Sequence, residues 1–143
     1  MHDFYNLQRF VAAQGPNHRF DKVLAELRNG RKKTHWMWFV FPQISGLGRS
    51  EMARFYAITC FEEAQAYLQH PLLGQRLELC AQIIEPQVQR TARQIFGSPD
   101  DMKLHSSMTL FAVADPQRSI FQNVLDTFFD GVPDPSTLDR LNA

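Results

Sequence analysis

The 143 residues carry 15 Lys/Arg against 15 Asp/Glu, with 44% hydrophobic and 21% charged residues, enough apolar matter for one core in one domain. Zero net charge argues against nucleic-acid binding, because such domains are basic as a whole. The longest apolar run, Trp36 to Phe41, is far shorter than the ~18 residues of a membrane helix, and no basic start leads into an apolar N-terminal core; the expectation is no membrane span, no secretory signal and a cytoplasmic location.

Asp3 precedes Phe4, Leu7, Phe10 and Val11, a spacing that predicts a first helix ending near Gly15-Pro16. Asn17 is placed to cap a second, with Phe20, Val23, Leu24 and Leu27 on one face and Asn29-Gly30 as its stop. Six Lys/Arg lie between Arg19 and Lys33 against Asp21 and Glu26, whereas seven Asp face three Lys/Arg from Asp100 onward. This polarity could mark an anion site in the first part, but the simpler reading is that two halves of one fold attract each other or that Arg31-Lys32-Lys33 is a solvated loop.

Residues 33–43 hold four of the seventeen aromatic residues, Trp36, Trp38, Phe39 and Phe41, with polar residues only at the ends. Such a block must be buried or line a site. A lone strand would lack a partner, so a short helix or irregular buried segment ending before Pro42 is expected. Gly46-Leu-Gly48 then turns the chain and Ser50 can start a helix.

Thr59-Cys-Phe-Glu62 has the spacing of a capping box, opening a helix with Ala64, Tyr67 and Leu68. Pro71 suits the first turn of the next helix (Leu72, Leu73, Leu77, Cys80, Ala81, Ile84), which Pro86 limits. His70 reads as a helix-start or turn residue. Cys60 and Cys80 fit no metal spacing and read as buried, reduced core thiols.

Ser98 can cap a further helix, with Pro99 at its first position and Asp100 and Asp101 in its first turn. Asp115-Pro116 and Asp134-Pro135 repeat that device. In the helix after Ser98, Met102, Ser106, Thr109, Leu110 and Val113 share one side, and Leu104, Met108 and Phe111 another, which predicts a central helix. The whole chain reads as all-α, a single compact multihelical domain spanning 1–143.

Three blocks, KTHWMWFVFPQISGLG (33–48), EAQAYLQHPLLGQRL (63–77) and DMKLHSSMTLF (101–111), resemble a family of uncharacterised, mostly bacterial proteins of about this length, often labelled "calpastatin". The resemblance covers nearly the whole chain and implies a one-domain, mainly helical protein of unassigned activity, with no catalytic residues to carry over. Calpastatin itself is a disordered protease inhibitor, whereas this chain has the aromatics and helix caps of a folded domain.

For chemistry, Lys33, His35, Trp36, Gln43 and Arg49 could line one wall of a pocket and Lys103, Ser106 and Ser107 the other. Cationic and amide groups beside a stacking ring suit a small anionic metabolite, nucleotide-like or a sugar phosphate. Lys103 and Ser106 are one turn apart, hence on one face. Gly-Leu-Gly is no dinucleotide fingerprint and no phosphate-loop motif exists. The five histidines form no metal pattern, so neither metal nor cofactor is implied. Asp101 and Glu51 are acid candidates by neighbourhood only, and Asp101 is explained as well by capping. The competing reading is a non-catalytic protein-interaction module with the aromatic block as core; a homo-oligomer is compatible with either.

Overall fold

The computed structural model of the chain describes residues 3–15 and 18–142. Asp3 opens the first helix: its carboxylate oxygens accept the backbone N–H groups of Leu7 and Gln8 at 2.8 and 2.9 Å. These are amides that the start of a helix would otherwise leave unsatisfied. Helix α1 (Gln8–Gln14) buries Phe10 and Ala13, and α2 (Arg19–Arg28) buries Phe20, Val23 and Leu27. Gly30, at φ +71, follows the second, in the left-handed region where a Cβ is costly. The expected Asn17 cap and Pro16 stop lie outside the described residues.

The aromatic block makes one helical turn, α3 (Met37–Val40), and leaves it before Pro42. Trp36, Met37, Phe39, Val40 and Phe41 are all buried. Helix α4 (Glu51–Phe55) follows, with Ser50 Oγ accepting Ala53 N–H as its cap. Between them runs the chain's single paired extended stretch among the described residues: Ser45 N–H donates to Ile58 O and Ile58 N–H to Gln43 O, both at 2.8 Å.

Helix α5 (Phe61–Gln69) starts one residue later than the capping-box spacing predicts. Its acid is Glu63, not Glu62: Thr59 donates its N–H and hydroxyl to Glu63 Oε1 at 2.9 and 2.7 Å. The reason is tertiary, because Arg9 draws Glu63 inward. Helix α6 (Leu73–Ile84) begins after Pro71 and Leu72 instead of including them, and His70 is the turn residue before it, with Nδ1 accepting Leu72 and Leu73 N–H. Helix α7 (Ala92–Phe96) has a full Thr91/Gln94 capping box that the sequence reading passes over. Cys80 is buried, but Cys60 is only partly so; both are free thiols.

Helix α8 (Asp100–Ala114) packs against α5, α7 and the last two helices, α9 (Ile120–Phe129) and α10 (Pro135–Leu141). Being apolar around most of its circumference, it occupies the centre. Met102 and Val113, expected on a buried side, are 66% and 36% exposed, because they fall in its first and last turns. Ser98 does not cap it: Pro99 is the N-cap residue, and Asp101 Oδ1 takes the Met102 amide instead. Nor does Asp115 open α9. It ends α8, accepts Gln117 N–H and pairs with Arg118, while α9 begins only at Ile120. Asp134-Pro135 does start α10, with Asp134 accepting Thr137 N–H and Pro135 at the first position. The chain is therefore all-α, with its helices meeting in one hydrophobic core. No helix among the described residues is long and apolar enough to cross a membrane.

One charged pair ties the N-terminal third together. Arg9 and Glu63 form an ion pair at 2.9 Å with side chains 9% and 2% exposed. The remaining guanidinium protons go to the carbonyls of Tyr5, Asn6, Phe55 and Ala57. Removing one partner of such a buried pair strands the other charge, which costs about 3–5 kcal/mol. Arg9→Ala is expected to lower unfolding stability by that amount, read as a drop in the urea midpoint with an unchanged denaturant slope.

A second carboxylate fixes the basic loop. Glu26 accepts from the Thr34 hydroxyl at 2.6 Å, from Lys33 and Thr34 N–H, and from Trp36 Nε1–H at 2.9 Å. Burial alone would raise its pKa, but those donors outweigh it and hold the carboxyl below the ordinary 4.5. A depressed folded pKa means stability that is full above the unfolded value and lost as pH falls through the folded one. Wild type should therefore exceed Glu26→Gln in melting temperature at neutral pH. The gap should close on acidification below about pH 4.5; a gap independent of pH in a melting series would contradict this.

Candidate functional site

The Gln43–Gly48 loop and the first half of α8 face each other across a cleft of about 360 Å³. The loop contributes Gln43, Leu47 and Gly48; α8 and its entry contribute Pro99, Met102, Lys103, His105 and Ser106; the start of α10 adds Asp134 and Ser136. An adjoining recess of about 10 Å³ shares Gln43, Gly48 and Lys103 and is walled by Trp38, Phe41 and Tyr56. Its size suits a single water molecule.

Local sequence explains the loop wall. The Ile44–Ile58 bridge holds its base, and Gly46 turns the chain at φ +96. At Gly48 a Cβ would stand 2.4 Å from the Cβ of Ala53, so only glycine lets the loop lie this close to α4.

Charge in the cleft follows from an uneven pairing. Asp100 Oδ2 holds Lys32 Nζ at 2.9 Å, and its Oδ1 lies 3.5 Å from Lys103 Nζ. Two ammonium groups thus share one carboxylate, and the more loosely held of the two borders the cleft, whose lining also carries the carboxylate of Asp134. Lys103 Nζ also sits 5.4 Å from the centre of the Trp38 ring, whose face attracts the cation and helps fix its position. The Lys32–Asp100 pair also joins the basic first part of the chain to the acidic last part.

At the other end of the cleft, Ser106 Oγ lies 2.9 Å from Asp134 Oδ2 and 3.2 Å from Met102 O. A hydroxyl has one proton, and the shorter contact to a charged acceptor takes it. Asp134 Oδ2 also accepts the Thr137 hydroxyl at 2.6 Å and the Thr137 N–H at 3.2 Å. Its own N–H donates to Thr109 Oγ1, which back-bonds to His105 O. His105 stacks on Phe129 with ring centroids 4.2 Å apart and donates Nε2–H to Val132 O at 2.7 Å. Its partner can only accept, which fixes the proton on Nε2.

Of the eight residues singled out from the sequence, three meet in the cleft: Gln43, Lys103 and Ser106. Lys33, His35 and Arg49 are exposed and lie outside both its lining and that of the recess. Trp36 is 2% exposed, wedged against Phe41 and Phe96 with its Nε1–H on Glu26, so it is a core ring and not a stacking platform. Ser107 is fully buried, and its Oγ has no hydrogen-bond partner among the described residues. Glu51 is exposed in the first turn of α4. The cleft adds Asp134, His105, Ser136, Leu47 and Met102, which the sequence reading does not connect. Asp134 announces itself there only as a helix cap, and nothing local says that it will meet Ser106, 28 residues earlier in the chain. No group of three or more His, Cys, Asp or Glu among the described residues could hold a metal.

No curated protein matches the chain. Among solved structures it is similar to the conserved hypothetical protein Rv1873 from Mycobacterium tuberculosis, at 51% identity. That likeness covers 97% of this chain and 98% of the other, with a TM-score of 0.92. Residues 4–141 match the model of a family described as protein of unknown function. A family model matched over nearly the whole of this all-α fold places the chain in that family: it belongs to DUF1810.

Proposed function

We propose that the cleft between the Gln43–Gly48 loop and α8 binds a small anionic metabolite, nucleotide-like or a sugar phosphate. The observation that carries this reading is Lys103, the second ammonium on a carboxylate already paired with Lys32. Gln43, Ser106 and Ser136 add neutral hydrogen-bonding groups, while Leu47, Pro99 and Met102 supply apolar contact. That mixture is the usual make-up of a small-molecule site. Binding is preferred over turnover. Ser106 donates to an Asp134 oxygen that also takes both Thr137 donors, and among the described residues no hydroxyl is hydrogen-bonded to the His105 ring. The calpastatin label plays no part in this reading.

One feature favours the alternative of a non-catalytic interaction module. Phe4 and Phe55, 75% and 56% exposed, line a common shallow groove away from the cleft.

The two readings part in a thermal-shift screen of nucleoside monophosphates, sugar phosphates and inorganic phosphate. A ligand at 100 times its Kd stabilises by about 2.7 kcal/mol, or about 9 °C for a chain of this length. Wild type and His35→Ala should shift alike, because His35 lies outside the cleft, and Lys103→Ala should lose most of the shift. No shift with any of these anions, or an undiminished shift in Lys103→Ala, would move the module reading ahead.

A further inference from the structure

We infer that Asp134 is the specificity residue of the cleft and that it selects a phosphorylated sugar by accepting hydrogen bonds from the sugar's hydroxyls. This inference rests on the reading of the cleft as an anion site. Asp134 has two carboxylate oxygens in different situations. Oδ2 takes the Ser106 hydroxyl and both the hydroxyl and N–H of Thr137. Oδ1 has no hydrogen-bond partner among the described residues, and the side chain borders the cleft. An ionised carboxylate only accepts, so what meets Oδ1 must be a donor.

The position of that acceptor relative to Lys103 narrows the ligand. Ser106 stands one helical turn beyond Lys103, so their Cβ atoms are about 5–6 Å apart, and Asp134 Oδ2 is a further 2.9 Å from Ser106 Oγ. Lys103 and Asp134 line the same cleft and are linked through Ser106, so a phosphate on the one and hydroxyls on the other can belong to one bound molecule. A phosphate placed at Lys103 puts ring hydroxyls at Asp134, and Ser136 offers a further hydroxyl beside it. Leu47 and Met102 give the carbon face of such a ring an apolar surface.

A bare anion gains nothing from Asp134 and is repelled by it, so a carboxylate in an anion cleft discriminates against inorganic phosphate. A zwitterionic amino acid could also span a cation and a carboxylate. The lining favours hydroxyls, because Gln43 and Ser136 add neutral hydrogen-bonding groups that a sugar's further hydroxyls can use.

Substitution can isolate this role without losing the helix start, since Asn and Ser cap as well as Asp. Asp134→Asn should therefore melt near wild type and Asp134→Ser below it, through loss of the Ser106 contact, while both fold and both lose the free carboxylate oxygen. The experiment is calorimetric titration of the full chain with ribose 5-phosphate, inorganic phosphate and aspartate. Wild type should bind ribose 5-phosphate at least tenfold more tightly than inorganic phosphate. Both Asp134 variants should reduce that ratio to near one while keeping or strengthening inorganic phosphate binding. A ratio unchanged in both folded variants, equal affinities in wild type, or aspartate binding more tightly than ribose 5-phosphate would each overturn the assignment. Failure of the underlying anion site looks different: wild type binds neither phosphate compound, or Lys103→Ala binds both as well as wild type does. Those results overturn the inference together with the reading on which it rests.

Discussion

The Arg9–Glu63 pair is the contact on which the placement of the cleft depends. Two charges with side chains less than a tenth exposed are tolerable only when every remaining donor and acceptor finds a partner. Meeting that demand drags several chain segments into one arrangement. Arg9 takes the carbonyls of Phe55 and Ala57, and Glu63 takes both donors of Thr59. The 55–59 segment is thereby pinned at both ends of Ile58, the residue that pairs with Gln43 and Ser45. The cleft's loop wall is thus held at one remove by an ion pair that never touches the cleft.

The opposite wall has a different physical origin. Helix α8 is apolar almost all round, and burying it among α5, α7, α9 and α10 leaves only its first turns free to face a cavity. Those turns carry Lys103 and Ser106. The aromatic block supports them from below: Trp38 lies against the Lys103 ammonium, while Trp36, Phe41 and Phe96 pack as a cluster of tilted and edge-on rings. Core and site are therefore continuous, with the turn α3 and its flanking Trp36 and Phe41 supplying buried rings on one side and Trp38 a cation platform on the other. The uneven spread of charge along the chain resolves as attraction between the two halves of the fold. Lys32 on Asp100 makes that link, and Lys103 shares the same carboxylate at the edge of the cleft.

Much of the helical framework was legible from local signals. The Asp3 start, the Asn29-Gly30 stop, the His70 turn and the Asp134-Pro135 opening all depend on groups within a few residues of each other. Local signals misled where another partner, near or distant, competed for the same group. Thr59 chose Glu63 over Glu62 because Arg9 required Glu63 inside. Asp115 closed α8 instead of opening α9, since its carboxylate served Gln117 and Arg118. Ser98 lost its capping role to Asp101. In the site, Lys103 and Ser106 share a face by helical geometry alone, and Gln43 joined them through its neighbourhood to the glycine loop. Lys33, His35 and Arg49 fell outside because proximity in sequence to the aromatic block says nothing about which way an exposed side chain turns.

By itself, then, the sequence determined the all-α class, the central α8 and the burial of the aromatic block, because hydrophobic periodicity and helix caps act over a few residues. Tertiary structure alone decided that Asp134 meets Ser106, that Trp36 serves Glu26 and the core instead of a ligand, and that Lys32 and Lys103 share Asp100. Each of those contacts joins residues from different elements, and the compromise among buried charges, rings and hydrogen bonds that selects them is settled only once all the elements pack together.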